Sequence, residues 1–445
     1  MNPHNPGTLV RASILHFLRD PGPEPDPSAW QYFEDGALYI EDGRVRRCGG
    51  WDEVLAALPD MAQTAARYLD YRGKLLVPGF IDCHVHYPQA RIMGAYGRQL
   101  LDWLTHDTFP AEMALADADL ARASAEHFAQ RMLAHGTTTA SVFATVHAHS
   151  VDAFFEAAQR RQLRVLCGKV MMDRNCPEAL RDSPEQAWEE CRALIDRWHG
   201  KERLRYAVTP RFAPTSSAAQ LDVAGRLLES APDLHLQSHL SENPGELAWV
   251  RTLFPDCRDY TDVYRQHGLL RPSAIYGHGV HLSEAELAVL AQSGAALAFC
   301  PSSNRFLGSG HMDASRALAA GVRLGLASDV GAGTSLSMLR TMAAAYEVSM
   351  AMPLALNPWR LWYLATQGGA EALRLDEWIG NFTEGKEADF VVLDWQATPD
   401  LAWRIAHCDD LAERLFALLM LGDERCVVAT HILGQAAFVS SQERR

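Results

Sequence analysis

Long apolar stretches are missing from this 445-residue chain. No run of 18 apolar residues occurs and no signal-like apolar core follows Met1, so the expectation is a soluble protein with no membrane partner. Cysteine is scattered: nine residues, an odd number without a single Cys-x-x-Cys, which points to neither a disulfide framework nor a structural zinc knot and favours a reducing cytoplasm. Basic charge is in deficit, 41 Lys and Arg against 55 Asp and Glu, for a formal charge of -14. Nucleic-acid binding rests on cations that neutralise phosphates, so that partner class is disfavoured and a neutral small molecule fits better. Internal repeats and low-complexity segments are also absent. What remains, 48% hydrophobic and 22% charged residues, is ordinary globular composition with material for a large core.

Histidine is where the chain becomes specific. His84-Val85-His86 ends the stretch Leu75 to Gln89, and an apolar run from Leu75 to Ile81 leads into it. In an extended strand residues i and i+2 point to one face, so both imidazoles can meet one ion. Neutral histidine is the commonest metal ligand, and a hydrolytic zinc site needs about three protein ligands with one position left for water.

The chain length suits a TIM-type barrel of roughly 250 residues or more with an added module. Residues 1–74 read as a β-rich piece, with Ala12 to Phe17, a Pro-rich turn through Pro21, Pro23, Pro25 and Pro27, and a hairpin over Gly36 to Val45. Residues 371–445 repeat that texture after a helix, in Asp389 to Leu393 and Arg425 to Val439, and the two ends are expected to form one module. Between them, over 75–370, eight apolar runs alternate with helix-like stretches: Leu75–Ile81, Thr137–Thr145, Leu163–Met172, Leu204–Pro210, Leu234–His239, Ala274–His278, Ala295–Pro301 and Val322–Asp329. Eight βα units predict an α/β (β/α)8 barrel whose chemistry sits at the C-terminal ends of the strands.

Those ends carry a constellation. His84 and His86 follow the first run, His239 ends the fifth, His278 the sixth and Asp329 the eighth. Three imidazoles and a carboxylate suit one zinc ion with an open position, and the ion brings the pKa of water from about 15.7 toward 7. Glu242, three residues past His239, is placed to transfer a proton, and His278 to polarise the site.

Pro78-Gly79-Phe80-Ile81-Asp82-x-His84-x-His86-Tyr87-Pro88-Gln89, Thr209 to Thr215, His239-x-Ser241-Glu242-Asn243, Cys300-Pro301-Ser302-Ser303-Asn304 and Ser328-Asp329-x-Gly331-x-Gly333 resemble segments of the amidohydrolase-superfamily deaminases, most closely the guanine deaminase family. Leu101-Asp102-Trp103-Leu104 and Thr108-Phe109-Pro110-Ala111-Glu112 strengthen that likeness. The resemblance implies one zinc per chain on His84, His86, His239 and Asp329, proton transfer by Glu242 with His278, and substrate contacts from Gln89, Arg211 and Phe212. It further implies hydrolysis of guanine to xanthine and ammonia in purine catabolism, and a homodimer. The same chemistry on another purine, a pteridine or a triazine is the alternative, and a scaffold without activity is a third. The other zinc-deaminase signature, His-x-Glu with Pro-Cys-x-x-Cys, is absent.

Other polar residues read differently. Lys169 is the strand lysine that a two-metal, carbamylated site would require, but it falls on the third run. His147 and His149 lie beyond their strand, where Ser150 reads as the N-cap of the next helix. His281 reads as a loop residue, and Trp103 and Phe306 as pocket walls. For Arg211 the competing role is a salt bridge between two barrel loops.

Overall fold

The first strands follow from β-favouring stretches broken by tight turns. In the structure, a computed structural model describing residues 7–58 and 66–441, β1 (Thr8–Phe17), β2 (Trp30–Glu41) and β3 (Arg44–Gly50) run antiparallel, and Asp42-Gly43, both at positive φ, make the two-residue β2–β3 turn. β4 (Arg67–Pro78) then returns parallel to β1.

The barrel begins one residue later. β5 (Phe80–His86), β6 (Thr137–Phe143), β7 (Arg164–Gly168) with the short β8 (Val170–Met171), β9 (Leu204–Pro210), β10 (His235–Leu240), β11 (Ala274–His278), β12 (Ala296–Phe299) and β13 (Arg323–Leu326) form a parallel sheet in the order β5-β6-β7-β9-β10-β11-β12-β13, with β8 beside β9. The chain just past β13 closes the circle on β5: Asp329 N donates to His84 O at 2.9 Å and His86 N to Val330 O at 2.9 Å. The outcome is a nearly closed eight-stranded TIM-type barrel, as the alternating pattern predicts. Its outer helices start at polar caps; the Asp117, Ser183 and Ser217 side chains accept from backbone N–H groups of the helices Ala118–Ala134, Pro184–Trp198 and Ala218–Glu229.

β14 (Phe390–Leu393), β15 (Val427–Ile432) and β16 (Gln435–Val439) complete a separate seven-stranded sheet, β16-β15-β14-β4-β1-β2-β3, so the two ends of the chain do build one module. It is locked to the barrel by buried charge. Glu387 accepts from Arg164 Nε at 2.6 Å and Arg203 Nε at 3.1 Å, and Arg203 also pairs with Asp389. No helix among the described residues is long and apolar enough to cross a membrane.

Three sequence expectations are corrected. Leu75–Ile81 is two strands: Leu75 to Pro78 end β4 in the module, and Phe80 opens β5. Gly79 is the handover, its N bonded to Asp389 O in the module and the next N, of Phe80, to Gly136 O in the barrel. A Cβ on Gly79 would lie 2.1 Å from Thr138 Oγ1, so no larger residue fits there. Leu163–Met172 is also interrupted, at Lys169. Ser150 is not an N-cap: the helix is Ala148–Arg160 with His147 at its N-cap, and the Ser150 hydroxyl donates back to His147 O at 2.7 Å.

Candidate metal centre and substrate pocket

β5 turns His84 and His86 to one side, and β10 and the chain just past β13 bring His239 and Asp329 to meet them. His84 Nε2 lies 3.2 Å from His86 Nε2, which lies 3.3 Å from His239 Nε2; Asp329 Oδ1 is 3.4 Å from Nε2 of both His84 and His86. A tetrahedral ion with bonds of about 2.0–2.1 Å sets its ligand atoms roughly 3.3–3.4 Å apart. The nitrogens of His84, His86 and His239 form one metal-capable group, and Asp329 joins His84 and His278 in a second that shares His84, so the cluster suits a zinc-sized cation centred on these side chains. Burial holds the His86 and His239 rings well below the ordinary histidine pKa, in the neutral form that ligates. His239 Nδ1 donates to Arg211 O at 2.7 Å, which leaves Nε2 free to coordinate. Burial works against the Asp329 charge, but its hydrogen bond and charge pairing with His84 prevail and bring it to about 2.

The scaffold beneath the donors is tight and strained. Gly277 of β11 faces His84, where a Cβ would lie 2.7 Å from ring Cε1. Ser241, His278 and Asp329 all take positive φ at strand ends, 50°, 77° and 48°, a conformation costing about 1–3 kcal/mol each that the surrounding barrel must enforce.

Glu242 is fully enclosed. Burial pushes its carboxyl up to about 7, opposed by His278 and reinforced by Glu246 and Asp329. Ser309 Oγ donates to Glu242 Oε1 at 3.0 Å, and His278 Nε2 stands 3.4 Å from Oε2. His278 is in turn oriented through Nδ1 by Asn304 Oδ1 at 2.8 Å. One positioning residue had escaped the sequence reading. Glu246 Oε2 accepts from the backbone N–H groups of Glu242 and Asn243 at 2.8 and 3.2 Å, and Tyr260 OH donates to Oε1 at 2.8 Å, so it fixes the turn that carries Glu242. The spacing Asn243-Pro-Gly-Glu246 is a capping box, and that signal could have found it.

The pocket above the donors is lined by Gln89, Arg211 and Phe212 together with Glu242, and roofed by Leu100, Trp103, Leu104 and Leu307. Leu100, Trp103 and Leu104 belong to the segment Leu100–Met113, which contains a π-helical turn at Leu104–Thr108, and Leu307 follows the helix Pro301–Phe306. Trp103 is a wall, whereas Phe306 packs behind it, edge-on at 5.8 Å. Glu112, which ends the segment Thr108-Phe109-Pro110-Ala111-Glu112, meets Arg211 Nη1 with both oxygens at 2.7 and 2.9 Å, a pairing the sequence alone did not reveal. Arg211 thus makes a loop-to-loop salt bridge and still lines the pocket.

The remaining residues lie elsewhere. Lys169 is fully buried against Asp182, with Glu190 at 3.3 Å, away from the ligands. His149 Nε2 faces Leu115 O at 2.8 Å, His281 Nε2 faces Ser309 O at 2.7 Å, and among the described residues neither they nor His147 join a metal-capable group.

Residues 75–436 match the amidohydrolase family. The chain is 45% identical over 430 residues to guanine deaminase of Escherichia coli, covering 96% of this chain and 97% of that protein. It is 44% identical over 443 residues to a probable guanine deaminase of Deinococcus radiodurans, covering 98% and 99%. The solved structure of the Escherichia coli enzyme superposes with a TM-score of 0.94 over 98% of this chain and 100% of that one. A crystal structure of guanine deaminase from C. acetobutylicum with bound guanine in the active site, 27% identical, superposes with a TM-score of 0.87 over 97% of this chain and 100% of that one.

Proposed function

The chain belongs to the amidohydrolase family and, within it, to the guanine deaminases, hydrolases of C–N bonds, and from that premise we propose that it converts guanine to xanthine and ammonia in purine breakdown, with one zinc ion per chain. One observation carries the reading: three imidazole nitrogens and a carboxylate oxygen, with neighbouring pairs 3.2 to 3.4 Å apart, gather beside a pocket that holds a buried carboxyl and an arginine.

His84, His86, His239 and Asp329 would hold the zinc, which when bound supplies Lewis-acid activation of a water molecule. The chain's own residues supply the rest. Glu242, with its pKa near 7, takes a proton from the water and returns it to ring N3 beside the attacked C2. The new C2 hydroxyl then gives up its proton, carried by Glu242 to the amino group; the C2–N bond breaks, ammonia leaves and the C2 carbonyl forms, with His278 and Asp329 bordering the same space as Glu242. Arg211 points donors at the acceptors O6 and N7 on the far edge of the purine, a match a planar guanidinium makes well. Gln89 serves the adjoining position on the other side of O6, at N1, and Phe212 gives the ring a face to lie against.

The test is ammonia release from guanine and adenine alongside elemental analysis. About one zinc per chain, lost together with activity in His84→Ala, His239→Ala and Asp329→Ala, is expected, with guanine the preferred substrate and adenine nearly inert. Arg211→Lys should fail to restore what Arg211→Ala loses, because an ammonium lacks the fork. Two metals per chain with a carbamylated Lys169, or turnover of adenine equal to guanine, would refute the proposal.

A further inference from the structure

Glu112 is fully buried on the short helix Phe109–Met113, and its contacts have a consequence for which purine the pocket accepts. Both of its oxygens accept from Arg211 Nη1, and Oε1 accepts as well from Gln89 Nε2 at 3.1 Å. A single carboxylate oxygen therefore bridges the two side chains that line the ring-edge wall of the cavity.

Valence decides how each is turned. Arg211 Nη1 is committed to Glu112, while Nη2 and Nε have no partner among the described residues and remain as donors. A carboxylate can only accept, so Gln89 must present its NH2 group to Glu112 and turn its carbonyl Oε1 away from it; that oxygen too has no partner among the described residues. Were residue 112 able to donate, the Gln89 amide could flip and present NH2 to the cavity instead.

Resting on the function proposed above, we infer that Glu112 sets the donor–acceptor polarity of this wall, donors from Arg211 beside an acceptor from Gln89, and so selects 2-aminopurines with a 6-oxo group next to N1–H over those with a 6-amino group next to an unprotonated N1. Guanine matches at both positions. 2,6-Diaminopurine carries the same leaving amino group at C2 but opposes a donor to Arg211 and an acceptor to Gln89, and buried mismatches of this kind discriminate by about 10²–10⁴.

Steady-state kcat and KM for guanine and 2,6-diaminopurine should be measured on zinc-replete wild type, Glu112→Gln and Glu112→Ala. Wild type should prefer guanine by about 100-fold or more in kcat/KM. In Glu112→Gln, guanine kcat/KM should drop by about 10- to 100-fold, chiefly through KM, while 2,6-diaminopurine holds or gains, so the preference narrows by at least about tenfold. A proportional loss on both purines would mark Glu112 as structural only and overturn the inference. Should the variants not fold, wild type still decides: comparable kcat/KM for the two purines overturns it. Wild type inactive on both purines instead overturns the function proposed above, and this inference with it.

Discussion

Replacing Gly277 by alanine puts one methyl group against His84, a ligand in the proposed zinc site. Its Cβ would lie 2.7 Å from Cε1, 2.9 Å from Nδ1 and 3.1 Å from Nε2 of His84, where carbon contacts ordinarily begin at about 3.5 Å. Neither side can retreat easily. Gly277 is held in register between His239 of β10 and Ala298 of β12, and the His84 ring is edged by Phe143 and His239 at 4.7 Å each and by His86 at 5.0 Å. The overlap of roughly 0.8 Å must be shared, so His84 Nε2 moves by about half an ångström against a tolerance near 0.2 Å for metal–ligand distances. We expect zinc affinity to fall about 10- to 100-fold and the overpacked core to lose about 1–3 kcal/mol of stability. Zinc retention against a graded series of buffered free zinc measures the first, and denaturant titration of the apoprotein the second. With zinc in excess, KM for guanine should be close to wild type, because Gly277 is not among the residues that line the substrate pocket. A folded Gly277→Ala protein with wild-type zinc affinity would refute the reasoning.

Glu242→Gln keeps the shape of the side chain without the exchangeable proton, so zinc content should hold while turnover falls by about 10² to 10⁴; near-normal turnover removes Glu242 from proton transfer. Glu387→Ala leaves the buried Arg164 without a carboxylate and should cost about 3–5 kcal/mol in a denaturant titration, and an unchanged midpoint would show that the clamp between barrel and module carries no weight. His431 is pushed down to about 4, chiefly by burial, against 6.5 when unfolded. Its folded-state pKa is depressed, so the unfolded chain takes up the proton first: the stability this residue contributes is complete above about pH 6.5 and is lost as pH falls toward 4. Asp82 and Glu242, raised to about 7, act in the opposite sense, so the comparison must be made between proteins. From pH 7.5 to 5, His431→Phe should lose about 2 kcal/mol less stability than wild type, and equal losses would show that the ring is not buried neutral.

The barrel was readable because short apolar runs alternate with helix-like stretches, and several runs carry a polar residue at or near the C-terminal end, where a parallel barrel places its chemistry. His84, His86, His239 and Asp329 could be picked out for the same reason, although they are up to about 245 residues apart. The handover at Gly79 was hidden because Leu75 to Ile81 is apolar throughout: Leu75 and Val77 share one buried cluster with Phe80, Leu76 packs in the module and Ile81 in the barrel, and composition does not change between buried environments. Ser150 misled because serine near a helix start usually caps it, yet here its hydroxyl is drawn inward to Thr145 and His147. Glu112 stood in a recognisable segment, but its bond to Arg211 spans 99 residues and no local pattern encodes such a pairing. Lys169 shows the reverse case, since the one strand lysine that suggested a second metal is consumed by Asp182.

The order of strands in the outer sheet sets a timetable for synthesis. β4 finishes at Pro78, yet its antiparallel neighbour opens at Phe390, directly opposite, so the strand that leads into the first ligand pair waits about 300 residues for its partner. At roughly 5–20 residues per second, that is on the order of 15–60 s on the ribosome. Throughout this interval Leu75, Leu76 and Val77, which end up entirely buried, lie along an unsatisfied strand edge. The nascent chain is therefore most open to mispairing at its N-terminal sheet rather than at the barrel, and a chaperone that shields this edge until residue 393 emerges would protect the molecule where its topology leaves it exposed longest.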